Sequence, residues 1–143
     1  EILIGLVGSE MCIRDSKCAA HHGLTVNELF VLDILWFSPD GCTQTDICRR
    51  LSANKQTIAA ITGRFLKKGY ISLHEVKEDR RNKRIIFTDK GKAYAQDIIP
   101  YAAHAENLAM EQMGETNAAE LVRLATEFTE NMEICFSEAI RKN

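Results

Sequence analysis

The sequence predicts a mainly α-helical fold of the α+β class, in which one small β-hairpin lies between helices. Apolar residues recur every three or four positions over most of the chain, which is the pattern of helices packed on a core. Residues 70–88 differ, because apolar and polar residues alternate there on either side of a charged run. With 143 residues, 45% of them hydrophobic and 27% charged, the chain has the composition of one globular domain.

The first clear helix signal covers residues 25–37. Its many apolar positions predict a well-buried helix, and Thr25 followed by Glu28 has the spacing of a capping box. Pro39 disfavours helix at the residue before it, and the Asp-Gly pair that follows favours a turn. We therefore expect this helix to end before Pro39.

Two shorter helices follow in close succession. Residues 43–51 have apolar positions on one side and Thr43 as a cap, and residues 52–54 interrupt the pattern. Residues 55–68 resume it, and Gly69 suits the left-handed residue that often follows a helix. The order predicts a helix, a tight turn and a second helix.

The hairpin is predicted from two short strands, 70–76 and 84–88, around a charged seven-residue loop, 77–83. A helix, a tight turn, a second helix and a hairpin in this order form a winged helix-turn-helix. In such a fold the second helix enters the major groove of DNA. The negative potential of a narrow minor groove attracts an arginine on the hairpin loop.

The C-terminal third is predicted to be helical, with Thr88 capping a helix that runs to about Met113. Pro100 should kink or break this helix, and residues 114–117 should form a turn before a last helix over 118–141. One side of that helix, hereafter the C-terminal stripe, has apolar or small residues every three or four positions: Leu121, Leu124, Phe128, Met132, Cys135 and Ala139. The stripe is either intrachain core or an interface between two copies.

The charges are segregated along the chain. Residues 43–92 contain 13 Lys and Arg against 5 Asp and Glu, whereas both flanking segments are acidic and the net charge is −2. A basic middle indicates contact with a polyanion, although a solvated basic face without a partner gives the same pattern.

Several functional classes lack their sequence signatures. We find no glycine-rich phosphate loop, no nucleophile motif with a paired base and no apolar run of membrane length, so we expect neither an enzyme nor a membrane protein. We also expect no metal and no cofactor, because a zinc site needs three or four convergent ligands and no HxxxH-like spacing accompanies Cys18, His21 and His22. The cysteines form no CxxC pair and predict reduced thiols in a cytoplasmic protein, with Cys48 in the core and Cys42 in a loop.

Two segments, TQTDICRRLSANKQTIAAITGRFLKKGYI and EDRRNKRIIFTDKGK, resemble the winged helix-turn-helix core of MarR-family transcription regulators. The resemblance extends from about Leu24 to Met113. It implies a DNA-binding core over about 25–92 and dimerisation helices over about 89–142, within a domain of residues 17–143. It further implies a cytoplasmic bacterial homodimer that binds a palindromic operator in double-stranded DNA, acts as a repressor, and responds to a small molecule or an oxidant.

The same resemblance implies roles for individual residues. Lys55 and Arg64 would contact phosphate or guanine, Gln56 would read adenine, and Arg81 would enter the minor groove with Asp79 orienting it. The full set of implied DNA contacts is Ser52, Asn54, Lys55, Gln56, Thr57, Arg64, Arg80, Arg81 and Lys83. The C-terminal stripe would be the dimer seam.

Three alternatives remain open from the sequence. The fold could be a winged-helix module for protein contact without specific DNA binding, although the basic segment argues against it. A cysteine could act as a redox switch if its thiol had a low pKa and were accessible. Aromatic residues could line an effector pocket, although core packing is the alternative for most of them: Trp36, Phe37, Tyr70 and Tyr101.

Residues 1–16 predict a different origin from the rest of the chain. Back-translation of LVGSEMCIRDS, residues 6–16, gives a string that resembles the transposase adaptor of shotgun sequencing libraries, and residues 1–5 fit the index that precedes it. The alternative is a native segment that matches by chance. We expect residues 1–16 to be non-native, and we exclude them from the fold prediction as we would a tag.

Overall fold

The computed structural model describes residues 14–76 and 79–141, with the side chains of 14–75 and 83–141. Helix α1 covers the described residues 14–21, and the first thirteen residues of the adaptor-like segment lie outside the described part. The other elements are α2 (Val26–Trp36), β1 (Cys42–Thr43), α3 (Gln44–Leu51), α4 (Lys55–Lys67), β2 (Ile71–Val76), β3 (Asp79–Phe87), α5 (Asp89–Gln96), α6 (Ile99–Met113) and α7 (Glu115–Arg141). The predicted mainly helical α+β class is confirmed.

Side-chain caps fix where four helices begin. Thr25, Thr43, Asn54 and Thr88 each accept a hydrogen bond from the backbone N–H three residues on. The predicted capping box of Thr25 with Glu28 is present, and Asp46 completes a second box with Thr43. Each cap satisfies backbone donors that the helix itself leaves unpaired.

The core lies where α2, α3 and α4 pack against one another and against the sheet. Helix α2 is buried around most of its circumference, whereas α3 and α4 contribute apolar residues from one side. Strands β2 and β3 contribute Ile71 and Ile85 to the core. The largest fully buried side chains are Phe65, Leu32, Ile47, Ile58, Ile61, Ile85, Ile99 and Val31.

The sheet has three strands in the order β1-β3-β2, and both pairings are antiparallel. The predicted two-stranded hairpin is therefore incomplete, because β1 pairs Cys42 with Ile85 and Thr43 with Arg84. Two residues are too few to give an alternation signal in the sequence.

The predicted seven-residue loop is wrong, because β3 already begins at Asp79. Val76 pairs with Asp79, and after an irregularity Glu75 pairs with Lys83. Residues 79–83 are all polar and show no apolar alternation, so the sequence resembled a loop there. Arg80 and Arg81 are consequently residues of strand β3 and not of a loop tip.

Helix ends in the second half follow the predictions with one correction. Gly69, at φ +73°, ends α4 as expected, and the backbone N–H of Tyr70 donates to the Phe65 carbonyl at 2.9 Å. The interruption between α5 and α6 falls just before Pro100. The predicted turn over 114–117 is shorter, since Gly114 alone separates α6 from α7.

The chain divides into two units, 1–102 and 103–143, and α7 belongs to the second. No described residue of α7 is buried. The C-terminal stripe lies on this helix. The apolar side chains of the stripe are exposed, and further exposed apolar residues lie on other sides of α7: Val122, Ile134, Phe136 and Ile140.

Candidate nucleic-acid interface

The turn between α3 and α4 is fixed at three points. Ser52 ends α3 in the left-handed region, at φ 47° and ψ 33°. Asn54 begins α4 by accepting from the Thr57 N–H at 2.8 Å. From the start of α3, the Gln44 amide donates to the carbonyl of Lys55 at 3.1 Å. Together these bonds hold the first turn of α4 against α3.

The first turn of α4 presents polar side chains to solvent. Lys55 and Gln56 are exposed and Thr57 is half-buried, while the opposite side of the helix packs into the core. Asn54 is also exposed, but its side-chain oxygen is used by the cap, which leaves its amino group as a donor. Ser52 is exposed at the turn.

The outward line of α4, at spacings of three and four residues, is Gln56, Ala60, Gly63 and Lys67, and all four are exposed. Only the two end residues of this line carry hydrogen-bonding side chains. Lys67 is absent from the residues that the resemblance implied, although its place in the helical period could have indicated it. Its spacing from Gln56 spans three helical turns.

Arg64 lies beside this line and already has a partner within the chain. Its Nε donates to Oε1 of Glu28 on α2 at 2.9 Å, and its side chain is 51% exposed. The sequence could not indicate this pair, because 36 residues separate its members.

Lys83 and Arg84 are exposed on β3 but point to opposite faces of the sheet, since side chains alternate along a strand. Lys83 shares a face with Ile85, towards α4, whereas Arg84 donates to the Asp40 carbonyl at 3.2 Å. The side chains of Asp79, Arg80 and Arg81 lie outside the described part, so their predicted roles stay predictions.

A groove of about 400 Å³ separates α4 from the sheet. Its rim carries Lys55 and Lys83, and its wall includes Leu66 and Leu73, which are 44% and 41% exposed. The remaining lining residues come from α3, α4 and β3: Gln44, Thr45, Ala59, Thr62, Gly63 and Ile85. Sequence periodicity places residues on faces but does not predict a gap between two elements.

The cysteines depart from one prediction. Cys42 is buried in β1 rather than a loop thiol, and burial raises the pKa of its thiol despite the nearby Arg50 and Arg84. Cys48 is partly buried against the core, and Cys135 on α7 is exposed. A thiol with a raised pKa is a poor redox sensor, so Cys42 does not fit that alternative.

The four aromatic residues of the predicted effector pocket have different surroundings. Tyr70 stacks on Tyr94 with ring centroids 4.3 Å apart, while Phe37 and Tyr101 are largely exposed. Trp36 packs against the core. None of the four predicted aromatic residues lines the groove beside α4.

Over residues 14–76 and 79–141, no group of three or more His, Cys, Asp or Glu residues could hold a metal ion. Within the same ranges, no helix has both the length and the apolarity to cross a membrane.

Residues 22–82, from the end of α1 into β3, match the model of the MarR family. Over these residues the winged helix is similar to the MarR family. Among curated proteins, the HTH-type transcriptional regulator PapX of Escherichia coli is 29% identical over 98 residues. That match covers 62% of this chain and 60% of PapX, so the chain spans about three fifths of that relative.

Solved structures of MarR-family regulators are similar over nearly the whole chain. NMB1585, a MarR family regulator from Neisseria meningitidis, is 25% identical with a TM-score of 0.83, and the match covers 95% of both chains. MepR of S. aureus, solved as a complex with DNA, is 20% identical with a TM-score of 0.75, over 92% of this chain and 96% of MepR. The predicted family resemblance is confirmed.

Proposed function

We propose that this chain is a transcription regulator that binds double-stranded DNA in a sequence-specific way. It acts in the cytoplasm of a bacterium as a homodimer on a palindromic operator. It represses transcription and releases the operator when a small molecule or an oxidant acts on it. It carries out no catalysis.

The observation that carries the proposal is the exposed first turn of α4. Lys55 and Gln56 are presented by a helix that two caps and the Gln44 amide hold in place. A helix of this kind fits the major groove, where a lysine contacts phosphate or guanine and a glutamine reads adenine. The wing strand β3, with its run of basic residues, lies across the groove from α4.

The C-terminal stripe supports the homodimer. Phe128 and Met132 are 40% and 41% exposed in the single chain. Burial of an aromatic ring or a thioether away from water is energetically favourable. A second copy would cover these residues with the same apolar surface. Two winged helices related by a twofold axis match the symmetry of a palindromic operator.

Selection of bound duplexes from random double-stranded DNA, followed by sequencing, tests the proposal. We expect an enriched palindrome with half-sites about one helical turn apart. Salt-sensitive binding without enrichment would contradict sequence specificity. A complete lack of binding would exclude the DNA-binding proposal.

One observation favours a second candidate function, a module for protein contact. Leu66 and Leu73 are exposed in the groove on the same side as Lys55. A partner protein with apolar side chains could occupy that groove. This candidate takes first place if the selection yields no duplex at low salt.

A further inference from the structure

A buried carboxylate joins α2 to α4. Glu28 is 8% exposed, and both of its oxygens accept hydrogen bonds. Its Oε2 accepts from the backbone N–H of Thr25 at 2.9 Å and from the Thr25 hydroxyl at 3.0 Å. Its Oε1 accepts from Nε of Arg64 at 2.9 Å. Bonds at both oxygens fix the carboxylate in one orientation.

The pair is held by charge as well as by geometry. Burial by itself raises the pKa of Glu28, but the hydrogen bonds from Thr25 and Arg64 outweigh it and hold the pKa below its usual range. The carboxylate is therefore charged at neutral pH, and the guanidinium always is. A charge-assisted hydrogen bond of this kind restricts the plane of the guanidinium.

Arg64 keeps donors for another partner. The bond to Glu28 uses Nε and leaves the four N–H groups of the two terminal nitrogens, on a side chain that is 51% exposed. On α4, Arg64 lies at the side of the outward line that runs from Gln56 to Lys67. Phosphates form the walls of the major groove, so the side of an inserted helix faces phosphates rather than base edges.

We propose that Glu28 is a positioning residue for DNA binding, which holds the Arg64 guanidinium so that its terminal nitrogens donate to a backbone phosphate. This inference rests on the proposed DNA-binding function. An orientation set in the free protein spares the loss of side-chain freedom on binding. Lysine in place of Arg64 has a single ammonium, which does not bridge the carboxylate and a phosphate with the same planar fork.

The test measures the affinity of the full chain for a fluorescein-labelled duplex of mixed sequence and about three helical turns, at several salt concentrations. The variants are Glu28→Gln, Arg64→Gln, the double variant and Arg64→Lys. Gln at this position also occurs in capping boxes, so Glu28→Gln should keep the start of α2. Asp46→Asn is the matched control, because Asp46 forms the equivalent box with Thr43 and an ion pair with Arg49.

Removing a negative charge near DNA should by itself tighten binding. Loss of the positioning contact should weaken it, so the direction of the change in affinity separates the two effects. We expect Glu28→Gln to weaken binding roughly threefold to tenfold, whereas Asp46→Asn leaves it unchanged or tighter. Arg64→Gln should weaken binding roughly tenfold and reduce the magnitude of the salt slope by about 0.9. Glu28→Gln should add nothing to Arg64→Gln, and Arg64→Lys should not restore the affinity.

Two results would overturn the inference while the DNA-binding proposal stands. One is a Glu28→Gln variant that binds the duplex as tightly as the unchanged protein, or more tightly. The other is an Arg64→Lys variant with full affinity, which would mean that Arg64 contributes only its positive charge and not the planar arrangement of its donors. If the unchanged protein binds no duplex at low salt, the proposed function itself fails.

Discussion

Among single residues, Ser52 has a backbone conformation that is unusual for its type. Within the described part of the chain it is the one non-glycine residue with positive φ. The left-handed region costs an L-residue about 1–2 kcal/mol, and the tight turn before α4 requires it. The residue type gave no sign of this cost, because serine is also common in ordinary turns.

Substitutions at Ser52 should separate backbone strain from side-chain contacts. We expect Ser52→Gly to keep or raise the free energy of unfolding by up to about 1 kcal/mol, and Ser52→Val to lower it by about 1–2 kcal/mol. Urea denaturation of both variants measures the difference. Equal midpoints for the two would mean that this backbone conformation carries no strain.

Glu28 should contribute to the acid dependence of stability. Its pKa in the folded chain lies below the ordinary value of a glutamate, so its contribution to stability is present above the unfolded-state pKa and is lost as the pH falls through the lower folded value. The Glu28→Gln variant should therefore lose less stability than the unchanged protein between neutral pH and this acid range. Thermal unfolding at a series of pH values measures this, and parallel curves for the two proteins would contradict it.

Among the elements, the helices and their caps follow local rules that the sequence displays. The capping box at Thr25, the glycine after α4 and the interruption before Pro100 depend on residues within a few positions of one another. The features that could not be predicted are long-range. The pairing of β1 with β3 and the bond from Glu28 to Arg64 join distant segments, and the strand over 79–83 has no apolar alternation that would indicate it.

Two glycines should respond oppositely to alanine. A Cβ at Gly63, in the middle of α4, would meet no atom within 4 Å, so Gly63→Ala should raise the free energy of unfolding by about 1 kcal/mol. A Cβ at Gly91 would collide with the Tyr70 carbonyl, so Gly91→Ala should lower stability by about 1–3 kcal/mol. Urea denaturation distinguishes the two, and destabilisation by Gly63→Ala would contradict the open surface of α4.

Substitutions of Lys55 and Gln56, in the first turn of α4, should impair DNA binding in different ways. Lys55→Gln should weaken binding to all sequences and reduce the magnitude of the salt slope by about 0.9. Gln56→Ala should cost about 1–3 kcal/mol and relax the preference at one base pair. Repeating the duplex selection with each variant shows whether the preference changes. An unchanged sequence preference for Gln56→Ala would remove its reading role.

For the whole molecule, the open question of the sequence was whether the C-terminal stripe is core or interface. No described residue of α7 is buried, and the homodimer remains our proposal. The resemblance implied the dimer, which a single chain by itself does not display. The extra exposed apolar residues of α7 were not predicted, because they lie outside the single stripe that the periodicity defined.

A charge in the C-terminal stripe should separate two copies without unfolding either one. We expect Phe128→Glu to shift the chain from dimer to monomer, because a carboxylate in an apolar interface would be buried without a partner. Ser137→Glu is the control, since Ser137 lies on the far side of α7 from the stripe. Light scattering after size-exclusion chromatography measures the mass, and a Phe128→Glu variant that stays dimeric would place the interface elsewhere.

The most direct test of the account is the ratio of two affinities. The unchanged protein is titrated, at one moderate salt concentration, against the selected palindrome and against a mixed-sequence duplex of equal length. We predict binding to the palindrome at least about a thousandfold tighter, in the range of specific regulators. Equal affinities would contradict sequence-specific recognition by the first turn of α4.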